Sequence, residues 1–217
     1  MAIIMPDTSP RGPNVPDTDV YHMGTGASFY INATASPYDE HYQMYDYITK
    51  ELPSIIENSF NIGKNGLKSI CGHNMGGHGA LVIALRQGNS SWKSVSALAP
   101  ICNPTKCSFG KTAFDNYFMF PEEGKMNDAT CLLEALVDHP APFDDILIDQ
   151  GTVDPFLEEL KPDAIITAAD KSGQKLTLNK REGFDHSYFF VANFIEDHVN
   201  FHAGRLNAKD SFFYSCW

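Results

Sequence analysis

Short apolar runs of β type alternate along the chain with longer stretches whose apolar residues recur at helical spacing. Residues 2–5 form such a run, stopped by Pro6. Between 7 and 28, Pro10, Gly12, Pro13, Pro16, Gly24 and Gly26 interrupt any period, which predicts a loop. Ser36 suits an N-cap, with Pro37 at the first helical position and Asp39 and Glu40 in the first turn. The helix so begun is expected to reach about Asn58, tolerating or kinking at Pro53. Residues 68–71 read as a strand, followed by Gly72-His73-Asn74-Met75-Gly76-Gly77 and an apolar helix that ends near Gly88. The alternation then repeats, with strands at 95–99, 145–149 and 175–179 and helices at 130–138, 162–171 and 186–203. Such alternation predicts parallel pairing, in an α/β sheet covered by helices. No linker, internal repeat or low-complexity segment divides the pattern, so one domain is expected.

Composition narrows the function classes. Of 217 residues, 43% are hydrophobic and 20% charged, enough apolar material for a packed core and too much for a disordered chain. The net charge is −11, and no basic cluster exceeds Lys180-Arg181, which argues against nucleic acid and anionic membranes as partners. No stretch approaches the roughly 18 apolar residues of a membrane span, and residues 1–7 lack the basic start of a signal peptide. Cys71, Cys102, Cys107, Cys131 and Cys216 are odd in number and form no C-x-x-C pair. They read as reduced thiols of a cytoplasmic protein.

Three strand ends carry candidate chemistry. Gly72-His73-Asn74-Met75-Gly76 has the frame G-x-S-x-G of a nucleophile elbow, with asparagine at the nucleophile position. Glycines flank position 74 because side chains would clash in so tight a turn. Gly151-Thr152-Val153-Asp154-Pro155 follows the third strand, and Gly183-Phe184-Asp185-His186-Ser187 the fourth. Each has a plainer reading: a phosphate-binding turn, an Asp that caps a short helix, a structural Asp-His pair. Together they keep the order nucleophile, acid, histidine of α/β-hydrolases. His198 and His202 lie four apart on one helix face without a nearby third ligand, so a solvated face is expected there and no metal. Cys102 and Cys107 read as buried thiols.

Six segments are more specific. They are Pro6-Asp7-Thr8-Ser9-Pro10-Arg11-Gly12, Gly24-Thr25-Gly26-Ala27, the run from Gly72 to Leu81, Ala99-Pro100-Ile101-Cys102-Asn103-Pro104, Ile146-Leu147-Ile148-Asp149-Gln150-Gly151 and Asp185-His186-Ser187-Tyr188. They resemble the S-formylglutathione hydrolase (esterase D) family, near-continuously from about residue 5 to residue 208. The resemblance implies an α/β-hydrolase fold, a small-molecule substrate (S-formylglutathione or short acyl esters), no cofactor, and subunits that commonly form a homodimer. It places Asn74 at the family's serine, Asp154 at its acid and His186 at its base, with the Met75 N–H in the oxyanion hole. Asparagine cannot serve as the nucleophile, so the resemblance implies a chain without turnover. The alternatives are a binding or dimerising partner of an active enzyme, or a fragment without function. Further strands are expected before Pro6 in the family. The chain therefore reads as an N-terminally incomplete hydrolase domain over 1–208, followed by an unrelated aromatic tail at 209–217.

Overall fold

The computed structural model describes residues 1–60 and 62–206, so Cys216 and the segment 209–217 lie outside the described residues. Helical turns run from Met44 to the end of α1 (Leu52–Phe60). Four strands follow: β1 (Ile70–His73), β2 (Val95–Leu98), β3 (Ile146–Gly151) and β4 (Leu176–Arg181). They form one sheet in the order β1-β2-β3-β4, with every neighbouring pair parallel. Parallel neighbours need a crossover, and helices supply each one: α2 (Met75–Gln87) between β1 and β2, α3 (Ser108–Tyr117) and α4 (Ala129–Glu134) between β2 and β3, and α5 (Pro162–Ser172) between β3 and β4. The final helix is α6 (Tyr188–Leu206). The α/β fold expected from the periodicity is the fold observed.

Side chains alternate across each strand, and the two sheet faces differ in chemistry. Val95 and Ala97 of β2 and Ile146 and Ile148 of β3 enter an apolar core with Leu81, Ile83, Leu133, Ile165 and Ala168 from α2, α4 and α5. The opposite face carries Ser94, Ser96 and Asp149, which α6 covers. His198 and His202 on α6 are buried, at 0% and 7% exposure, so the expectation of a solvated face is wrong. His202 bonds to Ser94 Oγ and Ser96 Oγ at 2.7 and 2.8 Å, and His198 Nδ1 to Ser96 Oγ at 2.8 Å. Buried polar atoms need partners: both His202 nitrogens and His198 Nδ1 find theirs in these serines, whereas His198 Nε2 has no hydrogen bond among the described residues and faces Asp149 Oδ1 at 3.8 Å. Among the described residues no group of three His, Cys, Asp or Glu side chains could hold a metal ion.

Some local expectations shift, while the helix does tolerate Pro53. The first helix starts at Met44 and not near Pro37, because residues 36–42 turn so that Tyr38 and Tyr42 are buried against Tyr117. Gln43 Nε2 holds that turn by donating to the carbonyls of Ala33 and Asp39 at 2.9 and 2.8 Å. Pro53 is accommodated after a π-helical turn over Tyr47–Glu51, where the altered bonding pattern absorbs its missing N–H. Residues 2–5 form no strand: Ile3 and Met5 are 63% and 89% exposed and no ladder partner lies beside them. β1 also runs two residues further than its apolar pattern, to His73, which brings the turn at Asn74 to the sheet's carboxyl edge.

Candidate active site

Asn74 occupies the single residue between β1 and α2, with φ 53° and ψ −115°. A non-glycine residue at positive φ is strained, and asparagine tolerates it better than most. Its N–H donates to the Leu98 carbonyl at 3.0 Å, and its own carbonyl accepts the His78 N–H at 2.9 Å, which ties the turn to β2 and to α2. The glycines serve the turn unequally. A side chain on Gly72 would strike the Gly76 carbonyl, and one on Gly77 would come within 2.9 Å of Pro100 Cβ. At Gly76 the nearest atom is Tyr30 Cε2 at 3.8 Å, so the second glycine of the motif is not required by close packing here, contrary to the expectation from the motif. Met75 opens α2, and the N–H groups of a first helical turn have no intrahelical acceptor.

Asp154 and His186 meet although 32 positions apart. His186 Nδ1–H donates to Asp154 Oδ2 at 2.7 Å, the tautomer following because a carboxylate only accepts. Asp154 is 4% exposed and held at both oxygens. Oδ1 accepts the Phe156 N–H at 2.8 Å, and Oδ2 also accepts Gln150 Nε2–H at 2.9 Å. Burial pushes this carboxyl up, but the bonds from His186, Phe156 and Gln150 outweigh it and hold it below the ordinary carboxylate range. Asp154 thus caps the following short turn and binds His186; the two readings of the motif coexist. Gly151 lets the β3 and β4 loops close on one another, since a Cβ there would strike the Phe184 carbonyl.

The His186 ring reaches the β1–α2 turn. It packs on His73 with ring centroids 4.5 Å apart, and Phe156 meets its edge at 5.1 Å. Burial, then the neighbouring His186, lowers His73 to about 4, so His73 is neutral near pH 7. His186 Nε2 is buried and has no hydrogen-bond partner among the described residues, so the Asn74 amide does not occupy it. The three sequence-derived positions therefore converge at the carboxyl ends of β1, β3 and β4, where open α/β sheets place their ligands. Reading the sequence missed Gln150 and Phe156. Gln150 was visible only as the residue four before Asp154 at a strand end, and nothing in its identity marks which way it points.

The fold is of the α/β class, with the three positions at the carboxyl edge of its parallel sheet, and residues 1–201 match the family model described as "Putative esterase". The chain is 47% identical to the S-formylglutathione hydrolase of Mus musculus over 213 residues, covering 96% of this chain and 73% of the mouse protein. Its similarity to the Rattus norvegicus protein of that name is 46% identity over the same coverage. The solved S-formylglutathione hydrolase of Agrobacterium tumefaciens superposes with a TM-score of 0.86 at 43% identity, covering 93% of this chain and 72% of that one. The chain belongs to the S-formylglutathione hydrolase family. No helix among the described residues is long and apolar enough to cross a membrane.

Proposed function

We propose that this chain carries the acid, base and first oxyanion donor of a serine thioesterase but not its nucleophile, and that it does not turn over. The observation that carries the reading is asparagine at φ 53° on the β1–α2 turn, next in the chain to His73, whose ring packs on a His186 already bonded to Asp154 at 2.7 Å. With serine at 74, the hydroxyl would attack the formyl carbon of S-formylglutathione while His186 Nε2 takes its proton. The Met75 N–H would donate to the oxyanion. His186 would return the proton to the departing glutathione sulfur, and water would release formate by the reverse sequence. By accepting the Nδ1 proton, Asp154 leaves the His186 lone pair on Nε2 before the attack and stabilises the imidazolium once Nε2 has taken the serine proton. Asparagine has no proton to lose and a weakly nucleophilic carbonyl oxygen, so the sequence stops at binding. Loss of a triad nucleophile lowers turnover by about 10⁶.

The reading includes a cytoplasmic chain with one domain of the hydrolase fold over 1–208, whose site takes a small molecule and no cofactor. Hydrolysis of S-formylglutathione and p-nitrophenyl acetate is the test. The natural chain is expected to give background rates and Asn74→Ser to give turnover. Family-like rates from the natural chain overturn the inactivity, and a folded but silent Asn74→Ser overturns the roles given to Asp154 and His186. The same asparagine supports a second reading, a binder of glutathione thioesters or a dimerising partner of an active subunit. Calorimetric titration of the natural chain with S-formylglutathione, and sedimentation with and without an active homologue, separate these from a chain with no function.

A further inference from the structure

Gln150 is the last residue but one of the wholly buried strand β3, at 2% exposure, and its side chain makes an unequal set of bonds. Nε2 donates to Asp154 Oδ2 at 2.9 Å and to the Gly151 carbonyl at 3.3 Å. Oε1 is buried and has no partner among the described residues. Turning the amide over would not relieve this. It would set Oε1 against a carboxylate oxygen and a carbonyl, two acceptors, and leave the donors facing the empty side. The amide is therefore fixed in one orientation by Asp154, at the cost of an orphaned buried acceptor. An apolar side chain of similar length would fill this place without that cost. Asparagine would be too short to reach, and glutamate would oppose the Asp154 charge.

We propose that Gln150 is a positioning residue for the Asp154–His186 pair, a proposal that rests on the roles given to those two residues. Asp154 Oδ2 is the atom that accepts the His186 Nδ1 proton, and Gln150 Nε2 bonds the same atom. With Phe156 N–H on Oδ1, the carboxylate has no remaining rotation about its own bond. Its Oδ2 stays pointed at His186, and the imidazole is held with its proton on Nδ1 and its lone pair on Nε2. Without the Gln150 donor the carboxylate is free to tilt toward the Phe156 N–H, and the histidine loses the acceptor that selects its tautomer.

The test reads the tautomer in the chain as it exists. In ¹⁵N histidine spectra of the natural protein, His186 is expected in the Nδ1–H form. Gln150→Met should add a substantial Nε2–H population while thermal stability stays unchanged or rises, because the orphaned acceptor is gone. In the Asn74→Ser protein, Gln150→Met should lower kcat on the order of ten-fold or more with KM little changed. A Gln150→Met protein with an unaltered His186 tautomer overturns the proposal, as does one whose only change is lost stability. If Gln150→Met does not fold, Gln150→Leu, which also removes the donor and adds neither a charge nor an acidic proton, reads the same signal; failure of both to fold assigns Gln150 to the core and overturns it too. A silent Asn74→Ser protein sinks the functional reading above, and the tautomer measurement still decides Gln150.

Discussion

Asn74 meets two demands that different residues would serve better. Its backbone at φ 53° and ψ −115° favours glycine, while the reaction proposed for the family needs a hydroxyl. Strain of this kind costs about 1–3 kcal/mol, more than the extra chain entropy of a glycine. Asn74→Gly is therefore expected to stabilise the fold by about 1 kcal/mol, read as a rise in the thermal midpoint; a fall would show that the Asn74 side chain contributes bonding to the turn. At this scale the sequence was informative where a residue type is rare in its context. An asparagine inside a G-x-S-x-G frame, and an Asp and a His after successive strands, could be picked out in order. Gln150, His198 and His202 could not. A glutamine before a glycine and two histidines on a terminal helix have many uses, and only burial chooses among them.

The element that matters most is the β1–α2 turn, where the first helical residues pass directly over the strand. Gly72 faces the Gly76 carbonyl so closely that even a methyl group cannot enter. Gly72→Ala is expected to cost several kcal/mol or to abolish folding, since backbone must move on both sides, as with overpacked cores at about 1–3 kcal/mol and more. Gly76→Ala, with 3.8 Å to its nearest neighbour, should cost little. Chemical denaturation of the two variants compares them directly, and equal losses would contradict this account of the motif. Strands were legible because four apolar β-type runs lie between helical periods. Their ends were not, since pairing and not hydropathy carries β1 on to His73 and β4 to Arg181. The helix α3 went unread because its sequence, Ser-Phe-Gly-Lys-Thr-Ala-Phe-Asp-Asn-Tyr, is a weak helix former. It is held instead by the packing of Ala113, Phe114 and Tyr117.

Across the molecule, four histidines, three of them buried and His73 partly so, set opposing responses to pH. Burial lowers His78 to about 4, offset in part by its bond to the Asn127 carbonyl. Burial lowers His202 to about 4 as well, with His198 and Arg205 adding to it, and His73 stands at about 4. Each stays neutral in the fold while the unfolded chain takes up a proton near 6.5. Their contribution is complete above pH 6.5 and is lost as pH falls toward 4. His198 runs the other way: burial disfavours its charge, but Asp149 and the Cys71 thiol outweigh that and raise it to about 9. Its contribution is complete below pH 6.5 and is lost as pH rises through 9. Each such proton difference changes stability by at most about 1.4 kcal/mol per pH unit. Stability is expected to peak near pH 6.5, with the steeper fall on the acid side. Thermal midpoints from pH 4 to 10 check this, and a midpoint rising between pH 6.5 and 9 would contradict it. His198→Gln should flatten the alkaline limb.

Local sequence determined the strand-helix alternation, the glycine-lined turn and the order of Asn74, Asp154 and His186, because periodicity, backbone freedom and chain order are properties of neighbouring residues. The sequence also carried the family resemblance that the comparisons bear out. Tertiary structure alone decided that Asp154 and His186 bond at 2.7 Å, that Gln150 turns its donor toward that bond, and that α6 buries two histidines against the serines of β2. Those contacts join residues 4 to 108 positions apart, and which side chains meet depends on strand register and helix docking. Register and docking are settled by packing the whole sheet at once, so no single segment carries them.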